Sequence, residues 1–263
     1  MTLIAGIKSR DGIILAADTE EVIPQALRTN ARKIRTLYDS QSDWEVLAAG
    51  AGDVDYIRMI GDLIQEKIAV GSGLHADISR AIRETVHEVW RDHVRYEQSA
   101  VSAQMLFASW SHDGVCAFTV TNNAAVRDGR ELEACGIGDA TFRSLADRYL
   151  NKGLLPVVGG DIETLRTFVV FAMQRAKQTI PGVGGGTSIV TLGYDGQIKW
   201  EKSFKVIAIQ EFFSTFDSDV LHILGHGAVE PEKFISMMAK SAIQRVRKLR
   251  KEIARIEVDP SLM

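Results

Sequence analysis

An Asp-Gly pair between two apolar runs constrains this chain most. Leu3-Ile4-Ala5-Gly6-Ile7 and Ile13-Ile14-Leu15-Ala16-Ala17 flank Arg10-Asp11-Gly12, and Asp-Gly is favoured in tight hairpin turns because both central residues need a positive φ. The spacing predicts two antiparallel strands, the first beginning at the second residue. With a strand starting so early, no signal peptide is expected before it, and the N-terminus is expected to be tied into a sheet.

Thr2 is therefore the residue presented at the edge of the structure. Initiator Met is usually trimmed when a small residue follows it, so the processed chain is expected to begin with threonine. An N-terminal threonine carries a hydroxyl nucleophile and an α-amino group on one residue. The hydroxyl must lose its proton as it attacks, and an α-amino group titrates at about 7.7–8.0, near the pH at which a general base works best. Met-Thr openings are common, so the rest of the chain must say whether this one does chemistry.

The 263 residues fit one large or two small domains. With 46% hydrophobic and 25% charged residues, the chain reads as an ordinary globular protein with a sizeable core. A net charge of −3 offers no basic footprint for nucleic acid. Cys116 and Cys135 are too few for a disulfide framework and lack metal-ligand spacing, which points to the reducing cytoplasm and to no metal or cofactor. No stretch approaches the roughly 20 apolar residues of a membrane span.

Along the chain, Thr19 to Ala31 reads as irregular, followed by strands at 33–38 and 44–49. Ile57, Ile60, Leu63, Ile64 and Ile68 then step by three and four, the mark of an amphipathic helix capped by Asp53. A second helix is expected from Asp77 to about Tyr96. Strands return at 101–111 and 115–121 across Asp113-Gly114, and another ends at Leu132 to Cys135 after Arg127-Asp128-Gly129. Helices over 140–150 and 161–178 follow. Pro181 to Gly186 reads as a flexible turn, and strands at 187–192 and 197–199 close the unit. Hairpins alternating with helix pairs predict an α+β fold, a four-layer αββα sandwich of two antiparallel sheets with helices on both outer faces.

Residues 204–263 read as a C-terminal helical extension to a 1–203 domain. Phe204 to Phe216 is apolar and aromatic, and a long helix is expected over 230–257. Its basic end, Arg245, Arg247, Lys248, Arg250 and Lys251, reads first as a solvated face. Packing of its apolar side on a neighbouring subunit remains open, as does nucleic-acid binding, the less favoured reading.

Taken together, Thr2, the Gly6 to Asp18 strand pair, Arg32-Lys33-Ile34 and Ala48-Ala49-Gly50-Ala51-Gly52-Asp53 resemble the β-type subunits of the proteasome, members of the N-terminal-nucleophile (Ntn) hydrolases. The similarity is best over 2–65, and the order of elements follows it to about residue 200. It implies the Ntn sandwich, hydrolysis of peptide bonds through a threonine ester, a peptide or unfolded-protein substrate, and assembly with further copies of the chain. An ATP-dependent unfoldase is left open as a further partner. Residue by residue, the resemblance implies that Thr2 is the nucleophile, that Asp18 and Lys33 are its acid and lysine, and that the Gly50 N–H is the oxyanion donor. It places Ala31 and Ala48 in the specificity pocket, where small side chains leave room for a bulky apolar group.

The chain departs from the family pattern where polar residues normally hold the terminal amine. Ile137 stands between Gly136 and Gly138 in place of a serine, and Ile180 and Val183 replace an aspartate and a serine before Gly184-Gly185. Asp139 and Thr187 are the nearby polar residues that could substitute. Otherwise Lys33 carries more of the proton transfer. Two other outcomes keep the same fold: an amidohydrolase or transpeptidase that passes the acyl group to an amine, and a non-catalytic subunit.

Overall fold

A computed structural model of the chain describes residues 2–23, 27–37, 44–94, 101–151, 161–225, 243–248 and 251, with backbone alone at 21–23, 27–30, 151 and 215–225. Residues 1–201 form one compact unit and 202–263 a second.

In the first unit, β1 (Leu3–Lys8) and β2 (Gly12–Asp18) pair antiparallel across Asp11-Gly12, with Ile4 opposite Ala17 and Lys8 opposite Ile13. The two-stranded β3 (Glu20–Ile23) and β4 (Leu27–Asn30) follow, then β5 (Ile34–Leu37) and β6 (Glu45–Gly52). Helices α1 (Val54–Ala69) and α2 (His75–Asp92) lead to β7 (Ala103–Trp110), β8 (Cys116–Asn122), β9 (Ala125–Asp128) and β10 (Leu132–Gly136). Helices α3 (Asp139–Ala146) and α4 (Ile162–Thr179) precede β11 (Thr187–Gly193) and β12 (Ile198–Trp200). The strand order is β10-β1-β2-β11-β12 in one sheet and β5-β6-β7-β8-β9 in the other, antiparallel throughout.

Strand β6 explains why there are four layers. Leu47, Ala49 and Ala51 point into a core shared with Ile4, Leu15 and Val190 of the other sheet. Val46 and Ala48 point the opposite way, onto Ile60, Ile64, Ile82 and Val86 of α1 and α2. Side chains alternate across a strand, so a strand apolar on both faces must be covered on both. On the far side, Phe142 of α3 meets Phe168 of α4 edge-on at 6.0 Å, and Leu165, Val169 and Met173 are buried beneath. The αββα sandwich expected from the hairpins and helix pairs is the fold observed.

Several boundaries differ from the expectation. Residues 19–31, read as irregular, contain the β3–β4 hairpin. Their polar sequence, Glu20, Glu21, Arg28, Thr29 and Asn30, lacks the apolar alternation that marks a half-buried strand. The helix expected over 140–150 runs as α3 to Ala146 and then widens into a π turn at Asp147–Asn151, with Leu150 buried. Helix α2 ends at Asp92, and residues 95–96 of its expected span lie outside the described residues.

The second unit opens with helix α5 (Ser203–Gly225), which contains the aromatic stretch at 204–216; Phe212 meets Phe213 edge-on at 5.3 Å. Of the helix expected over 230–257, residues 243–248 and 251 are helical and the remainder lies outside the described residues. Among the described residues no helix is long and apolar enough to cross a membrane.

Candidate active site

Thr2 sits where β1 enters the sheet. Its carbonyl oxygen accepts from the Ile137 amide at 3.0 Å, just past the end of β10. The next amide, Leu3 N–H, donates to Asp18 Oδ1 at 2.8 Å, so the end of β2 reaches back to the start of β1. Asp18 is 0% exposed. A carboxylate taken so completely out of water requires a counter-charge and hydrogen bonds. Lys33 Nζ supplies the charge, lying 3.1 and 3.0 Å from the two Asp18 oxygens and donating also to the Glu20 carbonyl oxygen. The Gly184 amide approaches Asp18 Oδ2 at 3.4 Å.

Five of the sequence-selected residues, Thr2, Ala31, Lys33, Ala48 and Gly50, line one cavity of about 150 Å³, with Asp18 buried behind Lys33. The lysine joins acid and cavity. Apolar side chains of Leu37, Ile57 and Met105 contribute to its lining. Gly50 has a second reason to be glycine, since a Cβ there would come within 2.4 Å of Ile57 Cγ2 on α1. Its amide donates to the Lys33 carbonyl oxygen at 3.2 Å, one step beyond the Ile34–Ala49 register of β5 and β6.

The positions that depart from the family pattern carry no polar side chain and differ in setting. Val183 is buried, Ile180 ends α4, and the Ile137 side chain is exposed while its amide fixes Thr2. The two polar candidates near them are engaged elsewhere. Asp139 pairs with Arg143, and Thr187 Oγ1 accepts from Lys177 Nζ at 2.5 Å.

Lys177 was not singled out by sequence reasoning. Its Nζ also donates to the Gly185 and Gly186 carbonyl oxygens at 2.9 and 2.6 Å. The Gly186 amide in turn donates to Thr19 Oγ1 at 2.7 Å, and its carbonyl accepts from the Thr19 amide at 3.1 Å. The segment read as a flexible turn is thus fastened to the residue after Asp18. Burial pushes the Lys177 ammonium down to about 8; the nearby Asp18 and Glu20 carboxylates oppose that shift and Lys33 adds to it. Nothing in the sequence distinguishes this lysine from others on a helix near its C-terminus, where cations are commonplace.

Arg32, Arg35 and Arg58 also line the cavity. The small residues Ala31 and Ala48 had suggested an apolar pocket; Arg32 belongs to the Arg32-Lys33-Ile34 motif but carried no role there, and Arg35 and Arg58 lie outside the motif residues. Burial pushes both cysteine thiols up to about 11, so neither supplies a competing thiolate near neutral pH. Among the described residues no three His, Cys, Asp or Glu side chains converge as a metal site requires.

The chain matches no family model and no curated protein by sequence. Its fold, however, matches solved structures closely. An Anbu (Gly-1) mutant from Hyphomicrobium sp. strain MC1 aligns with a TM-score of 0.69 over 88% of this chain and 99% of that one, at 11% identity. Anbu from Yersinia bercovieri, described as an ancestral beta-subunit, gives 0.68 over 86% and 98%, also at 11% identity. A helical assembly of the Anbu complex from Pseudomonas aeruginosa gives 0.64 over 87% and 98%, at 13% identity. At such identities the likeness is one of fold. It agrees with the Ntn-type sandwich that the sequence resemblance implies.

Proposed function

We propose that this chain is an N-terminal threonine hydrolase that cleaves peptide bonds after Met1 is removed, and that it works as an assembly of its own copies. The observation that carries the reading is the convergence of Thr2, Lys33 and Gly50 on one cavity with the buried Asp18 fixing Lys33 from behind. The helical assembly of the Anbu complex from Pseudomonas aeruginosa supports the self-association.

In this reading the Thr2 hydroxyl attacks the substrate carbonyl and forms an ester while the peptide amine leaves. Water then hydrolyses the ester. An ammonium paired with a carboxylate has no lone pair with which to take a proton, so Lys33 acts by charge, favouring the alkoxide form of Thr2 and the developing oxyanion. The freed α-amino group of Thr2 is then the base, and passes the proton on to the leaving amine. In this reading the amine moves the proton, whereas the departures from the family pattern had left Lys33 carrying more of that transfer. A Gly50 oxyanion role requires its amide to turn from the Lys33 carbonyl towards the substrate, which a bound carbonyl oxygen carrying negative charge would favour.

The test is hydrolysis of a panel of peptide amides by the wild-type, Thr2→Ala and Thr2→Ser proteins. Cleavage that is lost in T2A and retained at a reduced rate in T2S supports the reading; equal cleavage by wild type and T2A removes it. A non-catalytic subunit is the second reading. It is favoured by the engaged Gly50 amide and by the apolar residues at 180 and 183, and it predicts no cleavage of any peptide by the assembled wild-type protein.

A further inference from the structure

Four cationic side chains, Arg32, Lys33, Arg35 and Arg58, line the cavity beside Thr2, and among the described residues no acidic one lines it. Two of the four are compensated. Asp18 neutralises Lys33, and Asp62 sits 2.6 Å from Arg35. The other two have no carboxylate partner among the described residues. Arg32 lies over the Trp200 ring, 4.3 Å from its centroid, a contact that orients the guanidinium without cancelling its charge. Arg58 projects from α1 into solvent at the edge of the cavity. The wall therefore carries an excess of two positive charges.

The seating of Arg35 is built into the neighbouring helix. Gly61 lies inside α1, where glycine costs about 1 kcal/mol relative to alanine. A Cβ at Gly61 would stand 3.2 Å from Arg35 Nη1, tighter than a comfortable contact, so the glycine leaves the guanidinium its space against the helix. Ala31 and Ala48 line the same cavity, and their small side chains leave space beside the lysine and guanidinium groups.

We propose that this cavity selects an acidic side chain on the acyl side of the bond to be cleaved, with Arg58 as its chief specificity-determining residue. The inference rests on the reading of the cavity as the place where a substrate side chain enters next to Thr2. A carboxylate there replaces water by charge-assisted hydrogen bonds, which are roughly twice as strong as neutral ones. A lysine side chain would be repelled by the same groups. An apolar one would gain burial while leaving the two uncompensated charges as they were.

Binding tests the inference without requiring turnover. The full-length Thr2→Ala protein is titrated calorimetrically with four blocked peptides that share a free C-terminal carboxylate and differ only in a last residue of Glu, Gln, Leu or Lys. The expected order is Glu tightest, by about tenfold over its neutral isostere Gln, with the preference shrinking in about 0.5 M salt. Arg58→Glu, a change at an exposed position, is expected to abolish the Glu preference and improve Lys binding. Equal affinity for Glu and Gln, tightest binding of Leu, an unaltered order in R58E, or no binding of any peptide would overturn the inference. A protein that binds Glu selectively but whose wild-type form hydrolyses nothing would contradict the catalytic reading and leave the pocket assignment standing.

Discussion

Lys33 Nζ lies between the two carboxylate oxygens of Asp18, at 3.1 and 3.0 Å, with the lysine side chain 10% exposed and the aspartate fully buried. Removing one partner of such a pair strands a charge in the interior, which costs about 3–5 kcal/mol. Asp18→Asn is therefore expected to lose stability of that order in chemical denaturation and to lower peptide hydrolysis by about 10²-fold or more. The double variant Asp18→Asn/Lys33→Met removes both charges and is expected to regain much of the stability while remaining inactive. A double variant as unstable as D18N would mean that the pairing is not what the fold requires.

Lys177 gives a prediction at alkaline pH. Its folded value of about 8 lies below its ordinary 10.5. Between those values the unfolded chain still holds a proton that the folded chain has released, so stability from this group rises with pH across the window. Below pH 8 the cost of burying the ammonium is present in full. The stability of wild type relative to Lys177→Met is expected to improve by on the order of 2 kcal/mol from pH 8 to 10.5. A flat difference across that range would contradict the buried position of the amine.

Much of this arrangement was legible in the chain, and the unread part has a physical cause. The β1–β2 hairpin followed from Asp11-Gly12, and α1 from the spacing of Ile57, Ile60, Ile64 and Ile68, because turn chemistry and periodicity are local properties. The convergence of Thr2, Lys33 and Gly50 was available only through family resemblance, since three separate segments bring them together. Lys177 and Arg58 carried no local signal. Each lies on a helix, and only the tertiary packing sets one against the Gly184–Gly186 segment and the other beside the cavity. The β3–β4 hairpin was missed because a strand pair outside the two main sheets does not need an alternating apolar face.

Away from the site, Glu133 on β10 predicts behaviour in acid. Burial alone would raise this carboxyl, but Arg127 at 2.6 and 2.9 Å, the Arg130 amide at 3.0 Å and Arg143 at 3.3 Å outweigh it and hold it at about 2, below its ordinary 4.5. A depressed carboxyl contributes stability that is complete above pH 4.5 and is lost as pH falls towards 2. Glu133→Gln is expected to be less stable than wild type at neutral pH by on the order of 2–3 kcal/mol. The two proteins are expected to converge near pH 2. A gap that persists unchanged at pH 2 would show that the carboxylate's charge is not its source.

The most direct measurement is the intact mass of the native full-length protein before and after exposure to an electrophile that modifies N-terminal threonines, with the modified residue located by fragmentation. The account predicts a chain lacking Met1 and a single adduct on Thr2, lost in Lys33→Ala. A chain that retains Met1, or one that lacks it and takes no adduct at Thr2, would contradict it.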